Sequence, residues 1–472
     1  MVIRIYDTMT GQKLELKTIR DNRINMFVCG PTAYDLCHMG HARTYIAYDI
    51  VARYLRARGY SLFYLMNITD VDDKIIERAK EEGEDPLLLS KKMTEEFYND
   101  MSALRIRSIS LFAKASEHIP EIIAQVSKLI QKGYAYQVDG DVFFGISKFP
   151  DYGKLSHQKP EELKKHRIDP DPRKRNPGDF ALWKAQKRGE LSWESPWGMG
   201  RPGWHIEDTA ITGLYFGSRY DIHGGAIELI FPHHEAEIAQ AESASGESPV
   251  VNCWVHTGIL RIRGEKMSKS LKNFISIREA VEKYPPEALR FYFASSHYRS
   301  QIDYDDENVR RAAEKLESLY SILDRMRSLV KTAPEKGETS LQIQQSLETH
   351  RKEFHDAMED DFNTPVAISS LLAFASDMDR LVNEKTALQD LKEVIDTFAQ
   401  FGAILGIFES KEPEMEKDIT PSLVNLILEV REEFRKRGDW ATADRIREKL
   451  NQIGIVVEDQ PKGARWKKSS IT

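Results

Sequence analysis

The chain has 472 residues, a length that predicts about three or four domains. Hydrophobic residues make up 41% of it and charged residues 30%, the balance of a soluble globular protein. The formal net charge of -7 argues against nucleic-acid binding over the whole surface, so such binding would need local basic patches. Three cysteines cannot build a disulfide framework, and the sequence has neither a run of about 20 apolar residues nor an apolar N-terminal segment. We therefore expect a cytoplasmic protein without a membrane segment.

The first part of the chain alternates between strand and helix patterns. A buried strand is predicted at 24–28, and the turn residues Cys29, Gly30 and Pro31 end it. An apolar-periodic helix follows at 40–58, then a strand at 62–66 and a helix at 74–82. This order predicts an α/β fold, a Rossmann-type parallel sheet that binds ligands at the carboxyl ends of its strands.

The rest of the chain departs from that alternation twice. Residues 116–200 are rich in proline, glycine and basic residues, which indicates an insertion. The strand pattern returns at 220–225, and from about Pro286 the chain has helical periodicity. Two polar linkers, 331–340 and 410–420, divide this helical part into a bundle and a small C-terminal domain.

Two short motifs carry groups suited to phosphate chemistry. His38-Met39-Gly40-His41 lies where the first strand gives way to a helix, so two imidazoles and a helix N-terminus can donate to phosphate. About 225 residues downstream, Lys266-Met267-Ser268-Lys269-Ser270 follows an apolar strand and offers two cations to a triphosphate. The pair, in this order, resembles the HIGH and KMSKS signatures of class I aminoacyl-tRNA synthetases.

Several potential metal ligands surround the same predicted cleft. Cys29 ends the first strand, and Asp208 follows the segment GWHIE. His233 and Glu237 are four residues apart, so on a helix they share one face and can bind one ion. With FPHHEAEIAQ and GWHIE, these residues resemble the zinc site of cysteinyl-tRNA synthetases. That family has a second cysteine where this chain has Asp208, and zinc also accepts carboxylate oxygen, at about 2.0–2.2 Å.

The resemblance extends from Ile5 to Trp466 and implies the fold and the site. The expected fold is a Rossmann-type catalytic core with an insertion, followed by an α-helical tRNA-binding C-terminal part. Ala226 and Lys272 stand where the family usually has glycine. The implied catalytic residues are His38, His41, Lys266 and Lys269; ATP is bound by Gly40, Asp221, His223, Gly224, Gly225 and Lys269; cysteine is bound by Thr69, Trp204, His205 and His223; zinc is bound by Cys29, Asp208, His233 and Glu237.

The C-terminal segment resembles the anticodon-binding segment of the same family. Exposed aromatic side chains stack on unpaired bases, while arginines and carboxylates read base edges. The resemblance assigns these roles to Arg435, Trp440 and Asp459. The implied domains are a core formed by 1–115 and 200–248, a connective insertion at 116–199, a KMSKS-bearing stem-contact region at 249–308, a helical bundle at 309–410 and an anticodon-binding domain at 421–472.

The implied activity is ATP-dependent activation of L-cysteine and its transfer to tRNA(Cys), with one Zn²⁺ per chain and Mg²⁺ accompanying ATP. A monomer is expected. Two alternatives remain: a ligase that joins activated cysteine to a small amino-sugar, and a non-catalytic tRNA-binding paralogue. The long helical part after Pro286 argues against the first, and the presence of both ATP motifs argues against the second.

Overall fold

The computed structural model describes residues 2–158, 171–187, 190–203, 205–262, 264–266, 274–335, 340–409, 420–452, 454–460 and 463–468. The chain forms two compact units, Met1–Glu409 and Ser410–Thr472. Trp204 and Lys269, both predicted site residues, lie outside the described residues. Lys266 and Asp459 are described only in their backbone.

The strands fall into one parallel sheet and several small sheets and hairpins. In chain order they are β1 Arg4–Asp7, β2 Gln12–Glu15, β3 Arg23–Val28, β4 Ser61–Ile68, β5 Leu111–Lys114, β6 Ala135–Val138, β7 Asp141–Phe144, β8 Phe180–Ala185, β9 Gly200–Pro202, β10 Tyr220–Ala226, β11 Val251–Thr257, β12 Leu260–Ile262, β13 Glu265–Lys266, β14 Ile302–Tyr304, β15 Ile455–Gln460 and β16 Gly463–Lys468.

Helices alternate with strands in the first half of the chain and predominate in the second half. In chain order they are α1 Met39–Ala57, α2 Asp73–Glu82, α3 Pro86–Ala103, α4 Ile119–Gln131, α5 Ile206–Phe216, α6 Glu235–Ser245, α7 Ile277–Lys283, α8 Pro286–Ala294, α9 Asp306–Val330, α10 Leu341–Glu359, α11 Thr364–Leu381, α12 Leu388–Leu405, α13 Thr420–Lys436 and α14 Trp440–Gln452.

The central sheet has the strand order β11-β10-β3-β4-β5, and each neighbouring pair is parallel. Val28 pairs with Met66 on one side and with Gly224 on the other, so the carboxyl ends of β3, β4 and β10 lie at one edge. The predicted α/β fold and its first two strands and helices are confirmed. β11 at 251–257 belongs to this sheet, so the sheet extends beyond the predicted core segment at 200–248.

The insertion and the helical part have architectures of their own within the first unit. Strands β6 to β9 make a four-stranded antiparallel sheet within the predicted insertion, with β9 running on to Pro202. Helices α9 to α12 pack around buried aromatic residues, among them Phe354, Phe374 and Phe401. The second unit contains α13, α14 and the antiparallel hairpin β15–β16, so it is not wholly helical.

Candidate active site

The HMGH motif forms the start of α1. His38 is the N-cap, and its Nδ1 accepts a hydrogen bond from the Gly40 N–H at 3.0 Å. His41 Nδ1 accepts from the His38 N–H at 3.3 Å, and the two rings stack with centroids 4.0 Å apart. A Cβ on Gly40 would lie 2.7 Å from the His38 ring, so this turn requires glycine. Burial, and then the His38 charge, lower the pKa of His41 well below its usual value, so the ring is neutral at physiological pH.

The residues that follow the second motif pack against this helix start. The Met39 N–H donates to the Ile275 carbonyl at 3.0 Å, and the Ile277 N–H donates to the Cys37 carbonyl at 3.0 Å. The rings of His38 and Phe274 meet edge to face at 5.5 Å. The two signatures are about 225 residues apart in sequence, yet residues 274–277, a few positions after the second, contact the first.

Arg43 links α1 to the strands beside the second motif. Its side chain is buried and donates to the carbonyls of Gly258 and Ile259, each at 2.7 Å. It also donates to the carbonyls of Tyr298, at 3.3 Å, and Ser300. Gly258 and Ile259 directly precede β12, which pairs with β13 and β14. The arginine therefore holds the HMGH helix against the small sheet whose strand β13 ends at Lys266.

A thiol and two imidazoles meet at the carboxyl edge of the central sheet. Cys29 directly follows β3, and its Sγ lies 3.2 Å from His234 Nε2 and 3.6 Å from His223 Nε2. Glu237 Oε1 lies 4.0 Å from the sulfur, and Glu237 Oε2 lies 3.3 Å from His223 Nε2. Ligand atoms of these four residues all lie within 4.8 Å of one another, so they could hold a metal ion.

A second overlapping group adds the predicted aspartate. His205 Nδ1 lies 3.4 Å from Asp208 Oδ2, and both residues group with Glu237 within the same 4.8 Å limit. Asp208 is buried, and its Oδ1 has no hydrogen-bond partner among the described residues. A buried carboxylate oxygen without a partner is costly, and a cation bound at this atom would remove that cost.

Of the four predicted metal ligands, Cys29 belongs to the first group of ligand atoms, Asp208 to the second and Glu237 to both. His233 is in neither group of ligand atoms; its ring packs on His205 at 4.2 Å, and His234 lies beside Cys29 instead. The prediction assumed a continuous helix through 233–237. In the structure an irregular turn at Ile230–His234 precedes α6, which begins at Glu235, so the four-residue spacing does not place His233 there.

The two histidines beside Cys29 are held by buried hydroxyl and imidazole groups. Tyr220 Oη lies 2.7 Å from His223 Nδ1, and His234 Nδ1 lies 2.8 Å from His256 Nε2. Burial lowers the pKa of His223 and of His234 well below the usual value, so both rings are neutral. Sequence reasoning missed His234, His256 and Tyr220. For His256, the available signal was a polar residue near the carboxyl end of an apolar strand.

The carboxylates of the cluster resist ionisation when no cation is near. Burial raises the pKa of Asp208 to about 7 and raises that of Glu237 well above its usual range, with the charges of Asp208 and Glu207 adding to the latter. Burial and the same three carboxylates raise the pKa of the Cys29 thiol. A bound divalent cation would reverse these shifts, because it stabilises every anionic ligand.

The predicted ATP-binding segment is split by the structure. A Cβ on Gly224 would lie 2.5 Å from the Tyr48 ring, and Tyr48 Oη accepts a hydrogen bond from the Gly225 N–H at 2.7 Å. Because they have no side chain, these two glycines allow α1 to pack closely against the sheet. Asp221 accepts from the N–H groups of Ile19 and Asn25 at the amino end of β10, away from the carboxyl edge. The structure does not bring Asp221 to the other predicted ATP-binding residues.

Thr69 lies at the carboxyl edge and contacts a residue that the prediction did not include. Its hydroxyl donates to Glu207 Oε1 at 3.1 Å. Asp72, rather than Thr69, caps the following helix α2. The hydroxyl of Thr69 therefore faces the cluster side of the sheet edge.

In the second unit, Trp440 is 58% exposed at the start of α14. The Arg435 guanidinium lies 5.5 Å from the centre of its ring. An exposed indole beside a cation suits stacking on an unpaired base. The backbone of Asp459 lies in β15.

Comparison with known proteins identifies three matching family models. The model described as tRNA synthetases class I (C) catalytic domain matches residues 15–314, the DALR domain matches 353–409, and the Cysteinyl-tRNA ligase anticodon binding domain matches 419–466. Among the described residues, no helix has the length and hydrophobicity that a membrane crossing requires.

Curated relatives agree over the full length. Cysteine--tRNA ligase of Thermococcus onnurineus (strain NA1) is 45% identical over 477 residues, covering 100% of both chains. The protein of the same name from Heliobacterium modesticaldum is 45% identical over 481 residues, covering 99% of this chain and 100% of the relative. A structure of Mycobacterium tuberculosis methionyl-tRNA synthetase in complex with methionyl-adenylate shares the fold, with a TM-score of 0.62 and 17% identity over 81% of this chain and 92% of that one.

Proposed function

The chain belongs to the family of cysteine--tRNA ligases, which are class I aminoacyl-tRNA synthetases, and we propose from this that it joins L-cysteine to tRNA(Cys) at the expense of ATP. The contact between the HMGH helix start and the segment after Lys266–Ser270 carries the proposal. In addition, a thiol, imidazoles and carboxylates lie at the carboxyl edge of the same sheet.

The proposed reaction has two steps, formation of an adenylate and transfer of the cysteinyl group to the tRNA. A carboxylate oxygen of cysteine attacks the α-phosphorus of MgATP, and pyrophosphate leaves with the electron pair of the broken P–O bond. A terminal ribose hydroxyl of the tRNA then attacks the carbonyl carbon of the adenylate, loses its proton and displaces AMP. This reaction needs donors at the phosphate rather than a protein nucleophile.

The HMGH turn suits the first step. In both imidazoles Nδ1 accepts a hydrogen bond from a main-chain N–H. A neutral ring in this position carries its proton at Nε2, which holds for His41 and for His38 when it is neutral. Two N–H donors are thereby fixed beside the N-terminus of α1, where negative charge is stabilised. We assign Lys266 and Lys269 to the phosphates, as the resemblance implies, and Gly40 and Gly225 to the nucleotide.

We propose that Cys29, Asp208 and Glu237 bind one zinc ion together with a histidine, and that Glu237, which belongs to both groups of ligand atoms, joins them. His234 is better placed than His233 to be that histidine, because it lies beside the Cys29 sulfur. The donor set fits zinc, which accepts thiolate, imidazole and carboxylate ligands. When bound, zinc would prefer the thiolate of cysteine to the hydroxyl of serine, a distinction that pocket shape alone makes weakly. His223 and His205 lie beside these ligands and would border the thiol.

The metal proposal is tested by elemental analysis after treatment with a chelator. Asp208→Ala should lose metal, and cysteine binding should weaken with it, because it removes the carboxylate that carries the unpartnered oxygen. Asp208→Cys should retain metal more tightly than the natural chain, since a second thiolate softens the site. Tight, serine-rejecting cysteine binding by fully metal-free protein would contradict the proposal.

The activity is tested by cysteine-dependent exchange of pyrophosphate into ATP, followed by charging of tRNA(Cys). Exchange with cysteine, little exchange with serine, and charging of the tRNA are the expected results. Exchange without charging, with transfer to an amino-sugar, would favour the first alternative; no exchange would favour the non-catalytic one. The match of residues 419–466 to an anticodon binding domain disfavours the amino-sugar ligase. A cytoplasmic monomer remains our expectation.

A further inference from the structure

Glu207 is a buried acid to which neither the predicted metal site nor the HMGH motif assigns a role. It lies in the first turn of α5 and is 4% exposed. One carboxylate oxygen, Oε1, accepts a hydrogen bond from the Thr69 hydroxyl at 3.1 Å. The other, Oε2, is buried and has no hydrogen-bond partner among the described residues.

Among the described residues, Glu207 forms no ion pair with a lysine, arginine or histidine. A single hydroxyl leaves most of the acceptor capacity of a carboxylate unused, and burial of such a group without partners is costly. A group kept at this cost in a ligand cleft is commonly completed by the ligand.

The chemistry of Oε2 indicates what kind of group would complete it. A carboxylate oxygen accepts hydrogen bonds, and its strongest partners are N–H or O–H donors that carry a positive charge. The group that completes Glu207 should therefore be a cationic donor.

L-cysteine, the substrate of the proposed function, carries one cationic group, its α-ammonium. Three bonds separate that nitrogen from the sulfur, so the two atoms lie roughly 3–4.5 Å apart. Glu207 directly precedes Asp208, and its Oε1 contacts Thr69, which the resemblance assigns to cysteine binding. A cysteine bound at these residues offers its ammonium to Oε2 as the one cationic donor that it carries.

We propose that Glu207 Oε2 accepts a hydrogen bond from the α-ammonium of the substrate cysteine, and that Thr69 holds the carboxylate in position through Oε1. The inference rests on the proposed function and names the ammonium subsite within it. The site then recognises cysteine at two points, its sulfur and its nitrogen. A thiol ligand that lacks an amine would leave the Glu207 carboxylate without a hydrogen-bond donor.

The first test uses the natural holoenzyme and needs no variant. 3-Mercaptopropionate has the thiol and carboxylate of cysteine but no amine, whereas cysteamine has the thiol and amine but no carboxylate. We expect 3-mercaptopropionate to inhibit cysteine-dependent exchange at least about tenfold more weakly than cysteamine, because it leaves a charged hydrogen bond unmade. Equal or stronger inhibition by 3-mercaptopropionate would overturn the inference.

The second test uses Glu207→Gln, which keeps the side-chain size and an oxygen for Thr69. The KM for cysteine should rise about 10–100-fold, while the KM for ATP and the metal content stay as in the natural enzyme. The preference for cysteamine over 3-mercaptopropionate should disappear. Loss of metal from this variant would make Glu207 a metal-site residue instead, and an unchanged KM with unchanged preference would show that it does not contact the amine.

Glu242→Gln is the matched control. Glu242 is another buried carboxylate, on α6, but it is paired with Lys154 at 2.7 Å. Its loss should lower the melting temperature and leave the inhibitor preference unchanged. Absence of cysteine-dependent exchange in the natural enzyme would reject the proposed function itself. Exchange in the natural enzyme combined with an unaltered Glu207→Gln would reject only the ammonium subsite.

Discussion

At the scale of single residues, the two adjacent histidines 233 and 234 have different surroundings. The Nε2 of His234 lies beside the Cys29 sulfur, and its Nδ1 shares a hydrogen bond with His256. The ring of His233 packs on the ring of His205 instead. A metal-ligating histidine commonly uses its second nitrogen in a hydrogen bond that fixes its orientation. His234 has that second contact in place.

We therefore expect His234→Asn to lose more metal than His233→Asn when both proteins are dialysed against the same chelator. The metal affinity of His234→Asn should fall by more than 10–100-fold, which is the usual loss when a residue that only hydrogen-bonds a metal ligand is replaced. Metal content by elemental analysis, with melting temperatures measured alongside, distinguishes the two. A greater loss from His233→Asn would show that residue 233 turns toward the cluster when metal binds.

At the scale of elements, Arg43 joins α1 to the small sheet of β12, β13 and β14 through main-chain carbonyls. A displacement of about 1 Å between catalytic groups can cost on the order of 100-fold in rate. Arg43→Met should reduce the rate of pyrophosphate exchange about 10–100-fold with little change in the KM for cysteine. Arg43→Lys should restore part of the loss, because it keeps the charge and some of the donors.

Arg325 provides a matched control for that prediction. Its guanidinium also donates to main-chain carbonyls, those of Met378, Asp379 and Val382, but within the helical part. Arg325→Met should lower the melting temperature without slowing exchange per folded molecule. If Arg43→Met behaved in the same way, Arg43 would serve stability alone.

A second contact between elements is the buried ion pair of Asp49 and Arg290. Asp49, on α1, lies 2.6 Å from the guanidinium of Arg290 on α8, and Arg53 adds a contact at 2.7 Å. Arg290 also donates to the Leu405 carbonyl of α12 at 3.1 Å. Burial alone would raise the pKa of Asp49, but the two arginines hold it below its usual value. This pair joins the sheet-packed helix α1 to the helical bundle.

Asp49→Asn should cost about 3–5 kcal/mol of unfolding free energy at pH 7, because Arg290 remains buried without its counter-charge. A carboxylate with a lowered folded pKa stabilises above its unfolded pKa of about 3.9 and loses that contribution as the pH falls through the folded value. The difference between the natural chain and the variant should therefore shrink below pH 4. Urea unfolding at pH 7 and in acid measures it; a constant difference would contradict the linkage.

At the scale of the whole molecule, the residues predicted to act in adenylation lie in the first unit and Trp440 in the second. Trp440→Ala should weaken tRNA charging by about 1–3 kcal/mol, the usual contribution of one stacked base, and leave tRNA-independent exchange unchanged. Steady-state charging and exchange assays on the same preparation test this. A parallel fall of both activities, with a lower melting temperature, would instead assign Trp440 to packing.

Sequence alone determined the α/β core, its first strands and helices, and the pairing of two signatures with a cysteine at a strand end. Local periodicity predicts these features because neighbouring residues decide whether a segment is strand or helix. Cys29, Asp208 and Glu237 were assigned through the resemblance of the motifs around them to the zinc site of cysteinyl-tRNA synthetases, and their role as metal ligands stays a prediction.

Tertiary structure decided which side chains meet. His234 rather than His233 lies beside the sulfur because α6 begins at Glu235, and a helix start cannot be placed to one residue by periodicity. Asp221 lies at the opposite end of its strand from the site. The Glu207 oxygen that has no partner among the described residues is recognised only in the folded chain, where the other oxygen contacts Thr69. Such contacts depend on sheet register and on helix packing between segments far apart in sequence, and a local sequence pattern predicts neither of them.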